Sequence, residues 1–225
     1  MPHAERDDSL PGIRAVIFDV GGVLVRTHDW TGRQRWERDL ALPPGRAEWL
    51  VFHSRPGLQA RMAQLTEAAL WQAVAAELGL DPARLAAFRD DFWAGDALDE
   101  ELVAYIRSLR PAYQTAIISN FNESLRESLE RTYPIAGAFD LIVVSAEEKV
   151  MKPDERLYHL TLERLGRQPA EAVFIDDSLP NVEAARSVGM HAVHYRPGLD
   201  VPAALAALGV RPVEQTGNAQ NRKEN

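Results

Sequence analysis

Short apolar runs closed by turn or polar residues recur along this chain, and each reads as a buried strand rather than a helix. The first opens at Ile13 or Arg14 and reaches Phe18, meeting a lone acid at Asp19 before Gly21-Gly22, in the stretch AVIFDVGGVL. Later runs of the same kind are Thr115 to Ser119, Phe139 to Val144, Ala172 to Ile175 and Met190 to Val193. Between them the apolar positions return every third or fourth residue. Leu98, Leu102, Tyr105 and Leu109 form one such helical stripe, Leu125 and Leu129 a second, and Tyr158, Leu162 and Leu165 a third. Pro180 to Val188, stopped by Gly189, and Pro202 to Leu208 complete the set. Strands alternating with helices of about ten residues predict an α/β fold, a doubly wound, Rossmann-like parallel sheet with helices on both faces.

Residues 27–98 break this alternation. They are rich in Trp, Arg, Leu and Ala and show no clear strand. Gln59 to Leu78 reads helical, with Leu58, Met62 and Leu65 on one face and Leu70, Val74 and Leu78 on another, and Gly79 is a stop signal. Asp81-Pro82 supplies an N-cap and a first-turn proline for a helix carrying Leu85, Phe88 and Phe92, which Gly95-Asp96 ends. The expected organisation is a loose arm over 1–12, an α/β core over 13–26 and 99–210, a helical cap over 27–98 and a disordered polar tail over 211–225. The tryptophans of the insertion are expected mostly in its core, with one or two lining a pocket.

Composition narrows the function. The 225 residues are 46% hydrophobic and 26% charged, enough for one good core and a small subdomain. A net charge of −8 argues against non-specific binding to nucleic acid or to an anionic membrane surface. An anionic substrate would have to be held by local positive groups. With no cysteine, disulfides and thiolate metal sites are excluded. The polar, acidic start is unlike a signal peptide and no apolar run has the length of a membrane span, so the expectation is a cytoplasmic protein.

Four polar groups share one predicted position, at or just beyond the carboxyl end of a strand: Asp19, Ser119-Asn120, the Lys152 region and Asp176-Asp177. In a doubly wound sheet such tips converge on one crevice. A carboxylate nucleophile beside glycines that admit backbone N–H groups, a hydroxyl, a lysine and an acid pair suit phosphoryl transfer, with Mg²⁺ held by oxygen ligands. Each has a plainer reading. Asp19 could cap a turn, Ser119-Asn120 could begin a helix cap around Asn122, and Lys152 could be a solvated loop residue. Lysine is scarce, however, with Lys149 and Lys223 the only others. Adjacent carboxylates at a buried strand end repel and are hard to explain by folding alone. His28 and His53 are the histidines placed near a cap–core cleft.

The motifs DVGGVL (19–24), IISN (117–120), MKPD (151–154) and FIDDSLPNV (174–182), in this order and spacing, resemble the four signatures of the haloacid dehalogenase-like hydrolase superfamily. The match spans about Ile13 to Leu208, and the helical insertion is similar to that superfamily's α-helical cap. The resemblance implies a Mg²⁺-dependent phosphatase acting on a small phosphorylated metabolite through an aspartyl-phosphate on Asp19. It makes Asp19, the Gly21 carbonyl and Asp177 metal ligands, with Asp176 orienting the site or assisting the metal. Ser119 and the amides of Val20, Gly21 and Asn120 would bind phosphate, and Lys152 would neutralise charge between nucleophile and phosphate. Phosphatases of the superfamily usually carry a second Asp two residues after the nucleophile, as general acid and then base; here that position is Gly21. Three readings follow: a phosphatase whose acid is slow or relocated to a water, His28 or a cap residue; a 2-haloacid dehalogenase, whose chemistry needs no metal; or a binding or regulatory relative with little turnover. A phosphonoacetaldehyde hydrolase would need a cap lysine, and 27–98 has none.

Overall fold

The computed structural model describes residues 12–212; most of the expected arm and tail lies outside them. Five strands, β1 (Ala15–Phe18), β4 (Gln114–Ser119), β5 (Leu141–Val144), β6 (Ala172–Asp176) and β7 (His191–His194), form one sheet in the order β5-β4-β1-β6-β7. Every pairing is parallel. The first strand is thus central: the chain builds outward from it to β4 and β5, then crosses to add β6 and β7. That reversal is the switch point at which ligands bind in open parallel sheets.

Alternation along β1 explains its place. Val16 and Phe18 enter one apolar core, with Val103 and Ile106 of a helix over Glu100–Leu109, while Ala15 and Ile17 enter the other, with Leu157 and Leu162 of Glu155–Leu165. All four strand residues are completely buried. A strand apolar on both faces fits only in the middle of a sheet covered on both sides. At roughly 1.5–3 kcal/mol per large side chain removed from water, this strand strongly favours that position.

The insertion comprises five helices, Thr31–Asp39, Arg46–Phe52, Arg55–Ala60, Glu67–Leu78 and Pro82–Trp93. They pack around a separate core that includes Trp36, Leu50, Trp71, Phe88 and Phe92. Thr66 and Asp81 cap two of them through their side chains, and Gly79 closes the fourth in the left-handed conformation (φ 62°). The structure departs from the expected pattern in two places. The single helix over Gln59–Leu78 is two, interrupted between Ala60 and Glu67. A two-stranded antiparallel ribbon, β2 (Val25–Thr27) with β3 (Asp96–Leu98), carries the chain into and out of the insertion. Asp96 fastens its base, accepting from Thr27 Oγ1 at 2.6 Å and from the buried Arg33 Nη2 at 2.9 Å. Among the described residues no helix is long and apolar enough to cross a membrane.

Candidate active site

Asp19, Lys152, Asp176 and Asp177, distant in sequence, meet at the carboxyl end of β1 and β6. Lys152 is 2% exposed, and its ammonium sits 2.9 Å from Asp19 Oδ1, 2.7 Å from Asp176 Oδ2 and 2.9 Å from the Ile118 carbonyl. Those three bonds use all three of its protons. Asn120 fixes the lysine's backbone, donating from Nδ2 to the Lys152 carbonyl and accepting from the Lys152 amide, both at 2.8 Å. The Asn120 carboxamide thereby ties the Lys152 loop to the tip of β4.

The two adjacent acids differ sharply. Asp176 is buried and saturated: Oδ1 accepts from the Ser178 amide at 2.7 Å and Asn181 Nδ2 at 3.0 Å, while Oδ2 faces Lys152. Asn181 is steadied in turn by Tyr158, whose hydroxyl donates to its carbonyl at 2.9 Å. Asp177 is exposed, and its carboxylate lies over Gly22. A Cβ on Gly22 would come within 2.2 Å of Asp177 Oδ2, and Gly22 has φ +79°. Glycine is required there twice over, by backbone conformation and by the approach of the acid. At Gly21 neither condition holds: φ is not in the left-handed region and a Cβ would meet nothing within 4 Å.

One lysine faces three carboxylates, which each offer an oxygen within 4.8 Å of the others. Burial pushes the Asp19 carboxyl up to about 7; Lys152 opposes this and Asp176 adds to it. Partial desolvation and the Asp176 charge likewise raise Asp177. Burial alone would lower Lys152, but Asp19 and Asp176 outweigh it and hold the lysine above its ordinary value. The cluster therefore carries uncompensated negative charge and an all-oxygen donor set, which fits a hard divalent cation.

Ser119, at the tip of β4, is buried beside this cluster. Across the cleft the insertion presents Arg61, in the break between its third and fourth helices. Its carbonyl accepts from Ser145 Oγ at 2.7 Å and its Nη2 donates to the Phe52 carbonyl. Its Nε is buried without a partner. Burial holds the Arg61 pKa below the ordinary arginine value, against the pull of the Asp19 charge. Phe52, Trp71, Trp93, Phe121 and Asn122 line a cavity with it. Trp71 and Trp93 line this cavity of about 10 Å³, while Trp49, on the outer face of the insertion, lines a separate one of about 240 Å³ with Arg46, Ser54 and Glu77, and Trp30 is exposed. His28 and His53 are exposed. Arg61 was not singled out in the sequence, where it is one arginine among many; Ser178 and Asn181 stood inside a recognised motif without a role.

Residues 13–189 match the haloacid dehalogenase-like hydrolase family. Acyl-CoA dehydrogenase family member 10 of Mus musculus is 29% identical over 90% of this chain, which spans about a fifth (21%) of that protein's length. A sesquiterpene phosphatase of Aspergillus oryzae is 26% identical over 83% of this chain and 91% of its own. A HAD family enzyme of Bacteroides thetaiotaomicron, solved with magnesium and inorganic phosphate, superposes with a TM-score of 0.72 at 20% identity, covering 86% of this chain and 99% of that one. With a family match over most of its length and this sheet order, the chain belongs to the haloacid dehalogenase-like hydrolases.

Proposed function

We propose that this protein is a Mg²⁺-dependent phosphohydrolase of small phosphorylated metabolites, with Asp19 as nucleophile. The observation that carries this reading is the buried Asp19–Lys152–Asp176 cluster with Asp177 free beside it. Asp19, the Gly21 carbonyl and Asp177 would hold the metal, and Asp176, its oxygens already occupied, would position Lys152. When bound, Mg²⁺ would neutralise charge shared by the nucleophile and the phosphate. The Ser119 hydroxyl and the amides of Val20, Gly21 and Asn120 would receive phosphate oxygens. An Asp19 oxygen attacks phosphorus, the bond to the leaving oxygen breaks, and water then splits the aspartyl-phosphate. Lys152 favours the ionised form of Asp19 that makes that attack, against the effect of burial. The helical insertion acts as a cap, and its closure excludes water from the crevice. The phosphatase and magnesium-bound relatives support this reading.

A panel of phosphate esters assayed with and without Mg²⁺ tests it. Phosphate release that chelation abolishes is the expected result. Halide release from short 2-haloacids without metal would instead identify a dehalogenase, and no turnover of any ester would leave only a binding role.

The Gly22 contact gives a separate test of the metal site. Gly22→Ala forces Asp177 away and strains a left-handed backbone position, so Mg²⁺ affinity should fall at least about tenfold. Thermal melting across a Mg²⁺ titration reads this without any turnover, because a ligand stabilises the fold in proportion to its binding. Equal midpoints of the titration for both proteins would remove Asp177 from the metal site.

A further inference from the structure

The phosphohydrolase reading leaves the leaving group without an acid, and the geometry around Asp19 restricts where one could come from. Gly21 has no side chain, and the space where its Cβ would point is open. Lys152, Asp176 and Asp177 are the charged groups that most affect the Asp19 carboxyl. The Lys152 protons are all engaged, both Asp176 oxygens accept hydrogen bonds, and Asp177 is assigned to the metal. His28 and His53 lie exposed. From the cap comes a different group: Arg61, a cation whose buried Nε has no partner and whose charge interacts with Asp19. Such a group stabilises a departing anion but does not protonate it.

Resting on that reading, we infer that the substrate is a phosphate ester of an acidic hydroxyl, an aryl or enol phosphate whose leaving oxygen departs as an anion toward Arg61. In the first step the Asp19 oxygen forms its bond to phosphorus and the bonding pair of the P–O bond leaves on the substrate oxygen. A phenol ionises with a pKa of about 10, as tyrosine does, and can leave in this way. An alkanol, about as weak an acid as water, cannot do so without a proton. The second step needs no such help at the leaving atom, since water expels the Asp19 carboxylate, already a stable anion, and gives its proton to solvent.

The test is a series of phosphate monoesters from nitrophenyl through phenyl to alkyl, assayed with Mg²⁺. For the wild-type protein kcat/KM should fall steeply as leaving-group pKa rises, by more than about 10³-fold across the series. Gly21→Asp places a carboxylic acid in the open space and should flatten that slope, recovering alkyl phosphates by about 10²–10⁴-fold, the usual worth of general acid catalysis. Gly21→Asn, similar in size but without the proton, should not recover them. Comparable wild-type kcat/KM for alkyl and aryl esters would overturn this inference and leave the phosphohydrolase reading standing. Equal gains from Asp and Asn would also overturn it. No turnover of even the nitrophenyl ester defeats the phosphohydrolase reading itself. Should Gly21→Asp fail to fold, the wild-type slope alone decides.

Discussion

Replacing Asp19 by Asn should abolish Mg²⁺-dependent phosphate release from an aryl phosphate, a loss of about 10⁴-fold or more, the scale on which removal of a covalent nucleophile acts. Asparagine keeps the volume and the hydrogen-bonding outline of the side chain but offers no anionic oxygen to phosphorus. The same change should not weaken the fold. Asp19 is a buried carboxyl whose pKa is pushed up to about 7. A carboxyl with a folded pKa above its unfolded value near 3.9 contributes stability below that unfolded value, and loses it as pH rises through the folded value. Asparagine never ionises, so in metal-free buffer at pH 8 the variant should melt at or above the wild-type temperature. Lys152 retains Asp176 and the Ile118 carbonyl in that variant. A stable, inactive Asp19→Asn protein is the signature of a site that trades stability for reactivity. Undiminished phosphate release would remove Asp19 as nucleophile, and a large drop in melting temperature would mean that its charge supports the fold.

The parts of this molecule legible in its sequence are those set by local pattern. The central strands could be read because a parallel strand buried on both faces is a continuous apolar run, and β1 and β6 are such runs. Asp19 and Asp176-Asp177 were legible because each stands at the tip of a strand, and Lys152 because it lies in the connection that follows β5. The ribbon of β2 and β3 was not, because each strand is only three residues, none of them buried, whose partner lies some seventy positions away. The break around Arg61 was hidden for a related reason. No proline or glycine marks Ala60 to Thr66, and Met62 and Leu65 carry the helical stripe across it. The division of labour between Asp176 and Asp177 depends on which carboxylate rests on Gly22, a contact made across the sheet. The bond from the Asn120 carboxamide to the Lys152 backbone was equally hidden, since it depends on a loop folding back 32 residues later. Local chemistry therefore identified the cluster, while tertiary approach assigned roles within it.

Lys152 is the residue on which that approach converges, and its removal should cost the fold more than any other change at the site. Lys152→Met keeps most of the stem over the Phe174 ring, 5.2 Å from the ammonium in the native protein, but withdraws the charge. Asp19 and Asp176 would then face each other, buried, with no cation between them. Breaking a buried ion pair by deleting one partner costs about 3–5 kcal/mol, because the remaining charge stays desolvated. At about 2–4 °C per kcal/mol for a chain of this size, the melting temperature should fall by roughly 6–20 °C in metal-free buffer. Saturating Mg²⁺ should recover part of that fall, since a divalent cation supplies positive charge to the same carboxylates. Adding Asp176→Asn to Lys152→Met should recover part of it without metal, because one of the stranded charges is then gone. That double variant separates electrostatics from packing. If the second substitution lowers stability further, the lysine stem rather than its charge holds this end of the sheet together. If it restores stability, the ammonium is what lets two carboxylates share a buried strand end, one held ready as nucleophile and the other holding the lysine in place.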